Sequence, residues 1–176
     1  MNPRVMAYIG LGSNLDDPPA QIANAIDALN TLPDTKVRAV SGFYRNPPMG
    51  PQDQPDFVNA VLAIETGLPP RALLDAMQKI EQTQGRERSL HLWGPRIIDL
   101  DLLVYGDALL SEDRLQVPHP GIAERAFVLV PLAEIAPQLK IPTLGPLPAL
   151  LAAVDCANVI PMPVPNCSMP RTSSTR

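Results

Sequence analysis

The sequence predicts an α+β domain in which a mostly antiparallel sheet carries helices on one face and an active site on the other side. Segments with alternating apolar residues and segments with apolar residues at helical spacing follow one another in the order β-α-β-β-α-β. Prolines separate many of these segments in the first half of the chain and crowd its end. This order is the split βαβ arrangement of ferredoxin-like folds.

The stretch GLGSN (residues 10–14) follows the first predicted strand, residues 5–11. It shares glycines with nucleotide-binding loops, but it lacks the third glycine of a dinucleotide loop and the Lys-Ser/Thr pair of a P-loop. A tight turn in which Ser13 and Asn14 bond to the backbone is therefore the preferred interpretation.

Both predicted helices begin at a pair of prolines, which lose little there because the first helical amides have no intrahelical partner. Asp17 is expected to cap the first helix, which ends near Thr31. The second helix starts at residues 68–70 and ends at Gly85. Their apolar faces consist of Ile22, Ile26 and Leu29 in the first helix and of Leu73, Met77 and Ile80 in the second.

Three further strands are predicted, at residues 36–44, 56–65 and 97–105. The core face of the second consists of Val58, Ala60, Leu62 and Ile64. Phe57 and Asn59 therefore share its opposite face. An aromatic ring beside an amide can stack a flat heterocycle and bond its polar edge, although packing under a helix explains Phe57 equally well.

The last of these strands carries two carboxylates, Asp99 and Asp101, on one face of an apolar run. The opposite face consists of Ile98, Leu100, Leu102 and Val104. Two neighbouring carboxylates on a half-buried surface repel each other and lose hydration, and a bound divalent cation is the simplest remedy. The segment just upstream contains Arg86, Arg88, Trp93 and Arg96. Oxygen ligands for magnesium next to guanidinium groups for phosphate indicate phosphoryl chemistry.

The second half of the chain is less regular. It contains a turn and edge strand at 107–112, a proline-stiffened loop at 117–121, a helical or buried segment at 127–135 and a short helix within 147–154. His119, in the stiff loop, would by itself be interpreted as a structural histidine. From residue 156 onward Pro, Ser, Thr and Asn dominate without periodicity, so we expect one domain at 1–155 and a poorly ordered tail at 156–176.

Composition limits the possible partners. The chain has 176 residues, which suits one domain with a sizeable core, and its net charge of −4 does not favour nonspecific binding to nucleic acid. Cys156 and Cys167 have no metal-ligand spacing. Neither a signal segment nor an apolar run of transmembrane length is evident. We expect a cytoplasmic monomer that binds small molecules and neither nucleic acid nor membranes.

Five segments, taken together, closely resemble the 6-hydroxymethyl-7,8-dihydropterin pyrophosphokinases of the folate pathway. They are YIGLGSNL (8–15), FYRNPPMGPQDQPDFVNA (43–60), QGRER (84–88), WGPRIIDLDLLVYG (93–106) and VPHPGIAERAFVLVPLAEIAP (117–137). WGPR followed by a D-L-D strand is the most specific of these motifs. The resemblance implies a ferredoxin-like fold and transfer of the β,γ-pyrophosphate of ATP to the pterin hydroxymethyl oxygen, with release of AMP, in tetrahydrofolate biosynthesis.

The resemblance also implies roles for single residues. It implies that Asp99 and Asp101 hold two magnesium ions and that Arg86 and Arg96 act on the phosphates during transfer. The implied ATP site consists of Gln78, Glu81, Arg88, Trp93, Arg96, Leu102, Arg114, His119 and Arg125. The implied pterin site consists of Asn46, Pro47, Pro48, Met49, Phe57, Asn59, Trp93, Asp99 and Phe127. The segment 84–93 is expected to be mobile without ligand and to close over the site.

Two alternatives remain open at this point. The chain could be a non-catalytic, nucleotide-binding ferredoxin-like module that regulates a partner, or a phosphotransferase with a different acceptor. A sensor would need the arginines but not the two metal-bearing carboxylates, so magnesium dependence and turnover distinguish these classes.

Overall fold

The computed structural model describes residues 3–48, 53–85 and 97–163. The strands are β1 Val5–Ser13, β2 Thr35–Val40, β3 Tyr44–Asn46, β4 Phe57–Thr66, β5 Asp99–Tyr105, β6 Leu110–Glu112, β7 Leu115–Val117, β8 Lys140–Ile141, β9 Gly145–Pro146 and β10 Ile160–Pro161. The helices are α1 Pro18–Asn30, α2 Pro70–Thr83, α3 Ala126–Ile135 and α4 Leu147–Ala152, with a 3₁₀ turn at Ile122–Glu124. None of the helices within these ranges is long and apolar enough to cross a membrane.

The main sheet has the order β10-β3-β4-β1-β5, with β1 between β4 and β5, and every pairing in it is antiparallel. β2 and β3 pair in succession with β4, so together they form one line of the sheet. The predicted α+β class and antiparallel sheet are confirmed. The single strand predicted at 36–44 is divided, because Ser41 donates its amide to the Val61 carbonyl and accepts the Val61 amide on its side-chain oxygen.

Apolar residues cover both faces of this sheet. The first core joins α1 and α2 to β1, β4 and β5 through residues such as Ile22, Leu73 and Leu62. The second core joins Val61 and Leu103 to the 3₁₀ turn, α3 and α4. The prediction that helices lie on one face only is therefore wrong for α3 and α4. The sequence pattern did not indicate that Val61 and Leu103 form a second core, which α3 and α4 shield from solvent.

A bulge in β5 changes the direction of Val104. The register passes from Ile9 opposite Leu102 to Tyr8 opposite Val104, so Leu103 is an extra residue in the strand. Val104 joins Leu103 in the second core, although strict alternation predicted it on the other face. Ile98, Leu100 and Leu102 lie in the first core as predicted.

The GLGSN stretch continues β1 instead of turning, since β1 extends to Ser13. The predicted tight turn is wrong because Gly10 and Gly12 both pair with β4 and β5. The predicted backbone bonds of the next two residues are confirmed. The Ser13 hydroxyl donates to the Leu15 carbonyl at 3.3 Å, and Asn14 Nδ2 donates to the Pro55 carbonyl at 3.0 Å.

Two boundaries differ from expectation. Asp17 precedes α1 in a left-handed conformation, with φ of 64°, and makes no side-chain cap bond within the described part of the chain. Extended backbone is what lets an N-cap side chain reach the helical amides, so this cap prediction is wrong. The sheet also continues past residue 155, because β10 pairs with β3 and the Met162 amide donates to the Phe43 carbonyl at 2.8 Å.

Candidate active site

One row of paired residues crosses four lines of the sheet. Gly12 in β1 is opposite both Asp99 in β5 and Asn59 in β4, and Asn59 is in turn opposite Tyr44 in β3. Gly10 is likewise opposite Asp101. Residues paired in this way project from the same face of a sheet. We call the face that carries Asn59 and Asp99 the site face.

Gly12 makes room for the side-chain amide of Asn59. A Cβ atom at this position would lie 2.8 Å from Asn59 Oδ1 and 3.9 Å from Cδ1 of Phe57. Oxygen and carbon do not approach so closely without repulsion, so any side chain at Gly12 would displace the Asn59 amide. The Asn59 amide therefore lies over Gly12, and we call the surface at this glycine, between Asn59 and Asp99, the hollow.

Asp101 has two basic neighbours at the site. His119 Nε2 lies 3.9 Å from Asp101 Oδ1, and Arg125 lies 3.9 Å from Asp101 Oδ2. Burial, and then the positive charge of Arg125, lower the pKa of His119 to about 4, although the negative charge of Asp99 opposes this shift. His119 is therefore neutral near pH 7, and Arg125 supplies the positive charge next to Asp101.

The backbone around the stiff loop fixes both of these side chains. The Gly121 amide donates to His119 Nδ1 at 3.1 Å, which leaves the proton of the neutral ring on Nε2, the nitrogen that faces Asp101. A Cβ on Gly121 would lie 2.8 Å from Arg125 Nε, so glycine makes room for the guanidinium. Arg125 also lies 5.9 Å from the centre of the Phe127 ring, a cation–π distance.

A cleft of about 320 Å³ includes Asp101 and Leu102 of β5 in its lining. Its lining includes Asp101 together with three residues predicted for ATP, namely Leu102, Arg114 and His119. Arg114 donates to Gln78 Oε1 at 2.6 Å, which brings a fourth predicted residue to the same region. The cleft is also lined by Leu74, Asp113 and Gln116, which sequence reasoning did not select. Alternation in β7 could have indicated Gln116, because its neighbours Leu115 and Val117 are buried.

Glu81 lies apart from the cleft lining and is buried, with only 3% of its surface exposed. Its Oε2 accepts a hydrogen bond of 2.7 Å from the Leu100 amide, between the two aspartates on β5. This carboxylate therefore fixes the strand that carries Asp99 and Asp101. The structure shows Glu81 as a support for β5, and its contact with the nucleotide stays a prediction.

The predicted pterin residues cluster at the end of β3 and the start of β4. Asn46 is opposite Phe57, and Asn59 Nδ2 donates a hydrogen bond to Asn46 Oδ1. Asn46 and Pro48 are buried, whereas Pro47 is exposed. Phe57 is half-buried and belongs to neither core formed by the described residues, and its stacking on a pterin stays a prediction.

Several predicted site residues lie outside the described residues. They are Met49, Arg86, Arg88, Trp93 and Arg96. The predicted mobile segment 84–93 falls almost entirely in the same part of the chain.

Paired carboxylates beside a cleft that also carries an arginine and a histidine are typical of enzymes that bind nucleotide phosphates. Residues 8–137 match the family described as 7,8-dihydro-6-hydroxymethylpterin-pyrophosphokinase (HPPK). The chain belongs to this family, as the resemblance predicted.

Curated relatives agree with this assignment. A 2-amino-4-hydroxy-6-hydroxymethyldihydropteridine pyrophosphokinase of Pseudomonas aeruginosa is 51% identical over 156 residues, which cover 89% of this chain and 96% of the relative. A protein of the same name from Haemophilus influenzae is 50% identical over 78% of this chain and 86% of its own length.

Solved structures support the fold. The wild-type HPPK-DHPS of Plasmodium falciparum, solved with pterin and p-hydroxybenzoate, superimposes with a TM-score of 0.68 over 86% of this chain. The two chains are 14% identical, and the match spans 42% of the larger protein. At this identity the likeness shows the shared fold alone.

Proposed function

We propose that the site face of the sheet is where this pyrophosphokinase brings ATP and 6-hydroxymethyl-7,8-dihydropterin together. The family and relatives at about 50% identity establish the reaction class, a transfer of pyrophosphate in folate synthesis. The pterin hydroxymethyl oxygen forms a bond to the β-phosphorus of ATP, the bond from that phosphorus to the α–β bridging oxygen breaks, and AMP leaves. The regulatory-module alternative receives no support from these relatives.

The observation that carries the proposal is that the predicted pterin residues and the predicted ATP residues meet at the two aspartates of β5. Asp99 lies in one row with Gly12 and Asn59, and Asp101 lines the cleft. A pterin bound against Phe57 and Asn59 and a nucleotide in the cleft would therefore both reach the aspartates. Such transfer depends mainly on positioning and on stabilising charge, both of which this arrangement offers.

Asp99 and Asp101 fit a magnesium site. Magnesium in nucleotide enzymes takes one or two protein carboxylates and completes its shell with water and phosphate oxygens. Among the described residues no set of three His, Cys, Asp or Glu side chains surrounds a common point, so the proposed ions take their other ligands from substrate and water. When bound, magnesium neutralises phosphate charge and orients the reacting groups. Two ions, as in the resemblance, would give each substrate one link to the aspartates.

The basic side chains at the site have different proposed roles. Arg114 is held by Gln78 in the cleft, where it is placed to bind phosphate or ribose oxygens of the nucleotide. Arg125, supported by Phe127, sets a positive charge next to Asp101. His119 is neutral and offers an Nε2 donor on the same side. Arg86, Arg88, Trp93 and Arg96 retain their implied roles as proposals from the motif.

Several broader properties belong to the same proposal. The strand order, with β1 between β4 and β5, and the antiparallel pairings support the ferredoxin-like split βαβ fold. We propose a cytoplasmic monomer with one catalytic domain at residues 1–155, to which the following segment contributes at least β10.

The deciding experiment follows nucleotides by chromatography after incubation of the protein with ATP, magnesium and the hydroxymethyl-dihydropterin. We expect AMP in amounts equal to the pterin diphosphate, and none when the pterin is omitted or when magnesium is chelated. Formation of ADP would contradict the proposal, and so would ATP binding without turnover.

A further inference from the structure

Asn46 and Asn59 form a pair of buried amides on neighbouring strands. β3 pairs Asn46 with Phe57 and Tyr44 with Asn59, so the two asparagines lie diagonally on the site face. Their exposures are 6% and 8%. A buried amide has an acceptor at one end and a donor at the other, and its neighbours decide which end faces which way.

A chain of hydrogen bonds fixes both amides in this site. Asn46 Nδ2 donates to the Pro47 carbonyl at 3.0 Å, so the Asn46 oxygen is directed away from that carbonyl. This oxygen accepts a hydrogen bond from Asn59 Nδ2. If the Asn59 amide were flipped, its oxygen would face the Asn46 oxygen, and two acceptors would repel each other. The Pro47 carbonyl thus determines the orientation of Asn59 through Asn46.

The fixed orientation presents one acceptor to the hollow in the sheet. Asn59 Oδ1 is the atom that lies 2.8 Å from where a Gly12 Cβ would be, and it accepts no hydrogen bond from any described residue. The second Nδ2 hydrogen of Asn59 remains as a donor. A flat heterocycle bound here must offer an N–H to Oδ1 and an acceptor to that hydrogen.

We propose that Asn46 is a positioning residue that acts through Asn59. By fixing the Asn59 amide, it determines which pterin atoms meet a hydrogen-bond acceptor and which meet a donor. The proposal rests on the proposed function, since it assumes that Asn59 contacts the pterin. It gives Asn46, which the resemblance already places in the pterin site, the specific role of orienting Asn59 without touching the reacting atoms.

Asn46→Leu tests this proposal, because leucine has the same number and branching of side-chain heavy atoms but no polar atoms. We expect the KM for the pterin to rise about tenfold, while kcat and the KM for ATP change less than about twofold. In an Asn59→Leu background the same substitution should raise the pterin KM no further, because its effect passes through Asn59. Arg45→Gln changes the same strand on its opposite face and is the matched control, with a pterin KM within about twofold of the parent. If Asn46→Leu does not fold, Asn46→Ala has the same expectations.

A second measurement separates this proposal from the proposed function. In NMR spectra of the parent protein, one Asn59 side-chain amide proton should exchange slowly with solvent, and Asn46→Leu should abolish that protection. If the parent shows this protection but no pterin turnover, the proposed function fails and the orienting role of Asn46 stands. An unchanged pterin KM in Asn46→Leu overturns the proposal, and so does an undiminished effect in the Asn59→Leu background. A lower melting temperature together with similar rises in the KM values for pterin and ATP would indicate a merely structural role and would also overturn the proposal.

Discussion

At the scale of single residues, Gly12 is the position where one methyl group would disturb the site most directly. We expect Gly12→Ala to raise the KM for the pterin by about tenfold, because the new Cβ would be 2.8 Å from Asn59 Oδ1 and overpacking costs about 1–3 kcal/mol. Gly10→Ala is the matched control, since its Cβ would meet Leu103 at an ordinary 3.6 Å. Steady-state kinetics of both variants check this, and equal effects would show that the hollow is not a binding surface.

For Asp99 we predict that a substitution lowers activity without lowering stability. Asp99→Asn keeps the shape of the side chain but removes one of two neighbouring charges. We expect turnover to fall at least about a hundredfold, because a proposed metal ligand is lost. The melting temperature should stay the same or rise, because like-charge repulsion between Asp99 and Asp101 is relieved. Asp107→Asn, in the exposed turn after β5, is the control, and a similar loss of activity there would contradict the assignment.

At the scale of elements, Glu81 connects α2 to β5. Glu81→Leu leaves the buried Leu100 amide without its acceptor, which costs about 1–3 kcal/mol, whereas Glu81→Gln keeps an oxygen in place. For a chain of this size each kcal/mol lowers the melting temperature by about 2–4 °C. We therefore expect a clear loss of melting temperature in the leucine variant only. If both variants instead raise the KM for ATP and leave the melting temperature unchanged, Glu81 is a nucleotide ligand and not a support.

A second connection joins β3 to α3 through Glu134, which accepts the Gly42 amide at 2.9 Å and the Tyr44 hydroxyl at 2.5 Å. Burial, and then Glu134, raise the pKa of Tyr44 above its usual 10.0. The unfolded chain therefore loses this proton at lower pH than the folded chain does. The associated stability is present below pH 10 and is lost as pH rises above it. Denaturant titrations should show a smaller alkaline loss of stability in Tyr44→Phe than in the parent, and an identical slope would contradict this connection.

At the scale of the whole molecule, β10 extends the main sheet past residue 155. A chain that stops after residue 155 loses the pairing of β10 with β3, the bond from the Met162 amide and the contact of Met162 with the first core. We expect it to be about 1–2 kcal/mol less stable than a chain that stops after residue 163. Urea unfolding of the two truncated chains measures this difference. Equal stability would restore the boundary at residue 155 that composition predicted.

Local pattern by itself determined much of this protein. Alternation along β5 placed Asp99 and Asp101 on one face, and prolines marked the starts of α1 and α2. The motifs also identified the family, because residues that carry chemistry occur at fixed spacing along the chain. These features depend on neighbours within a few residues, so a sequence can show them.

Only the tertiary structure decided the rest. The register that brings Gly12 between Asn59 and Asp99 depends on pairing between distant strands. The bulge in β5 directs Val104 into the second core, where α3 packs. The inward direction of Glu81 depends on the packing of α2 against β5. The orientation of Asn59 depends on a bond to Asn46 across two strands. Each of these is set by contacts between segments far apart in sequence, and those contacts exist only once the chain has folded.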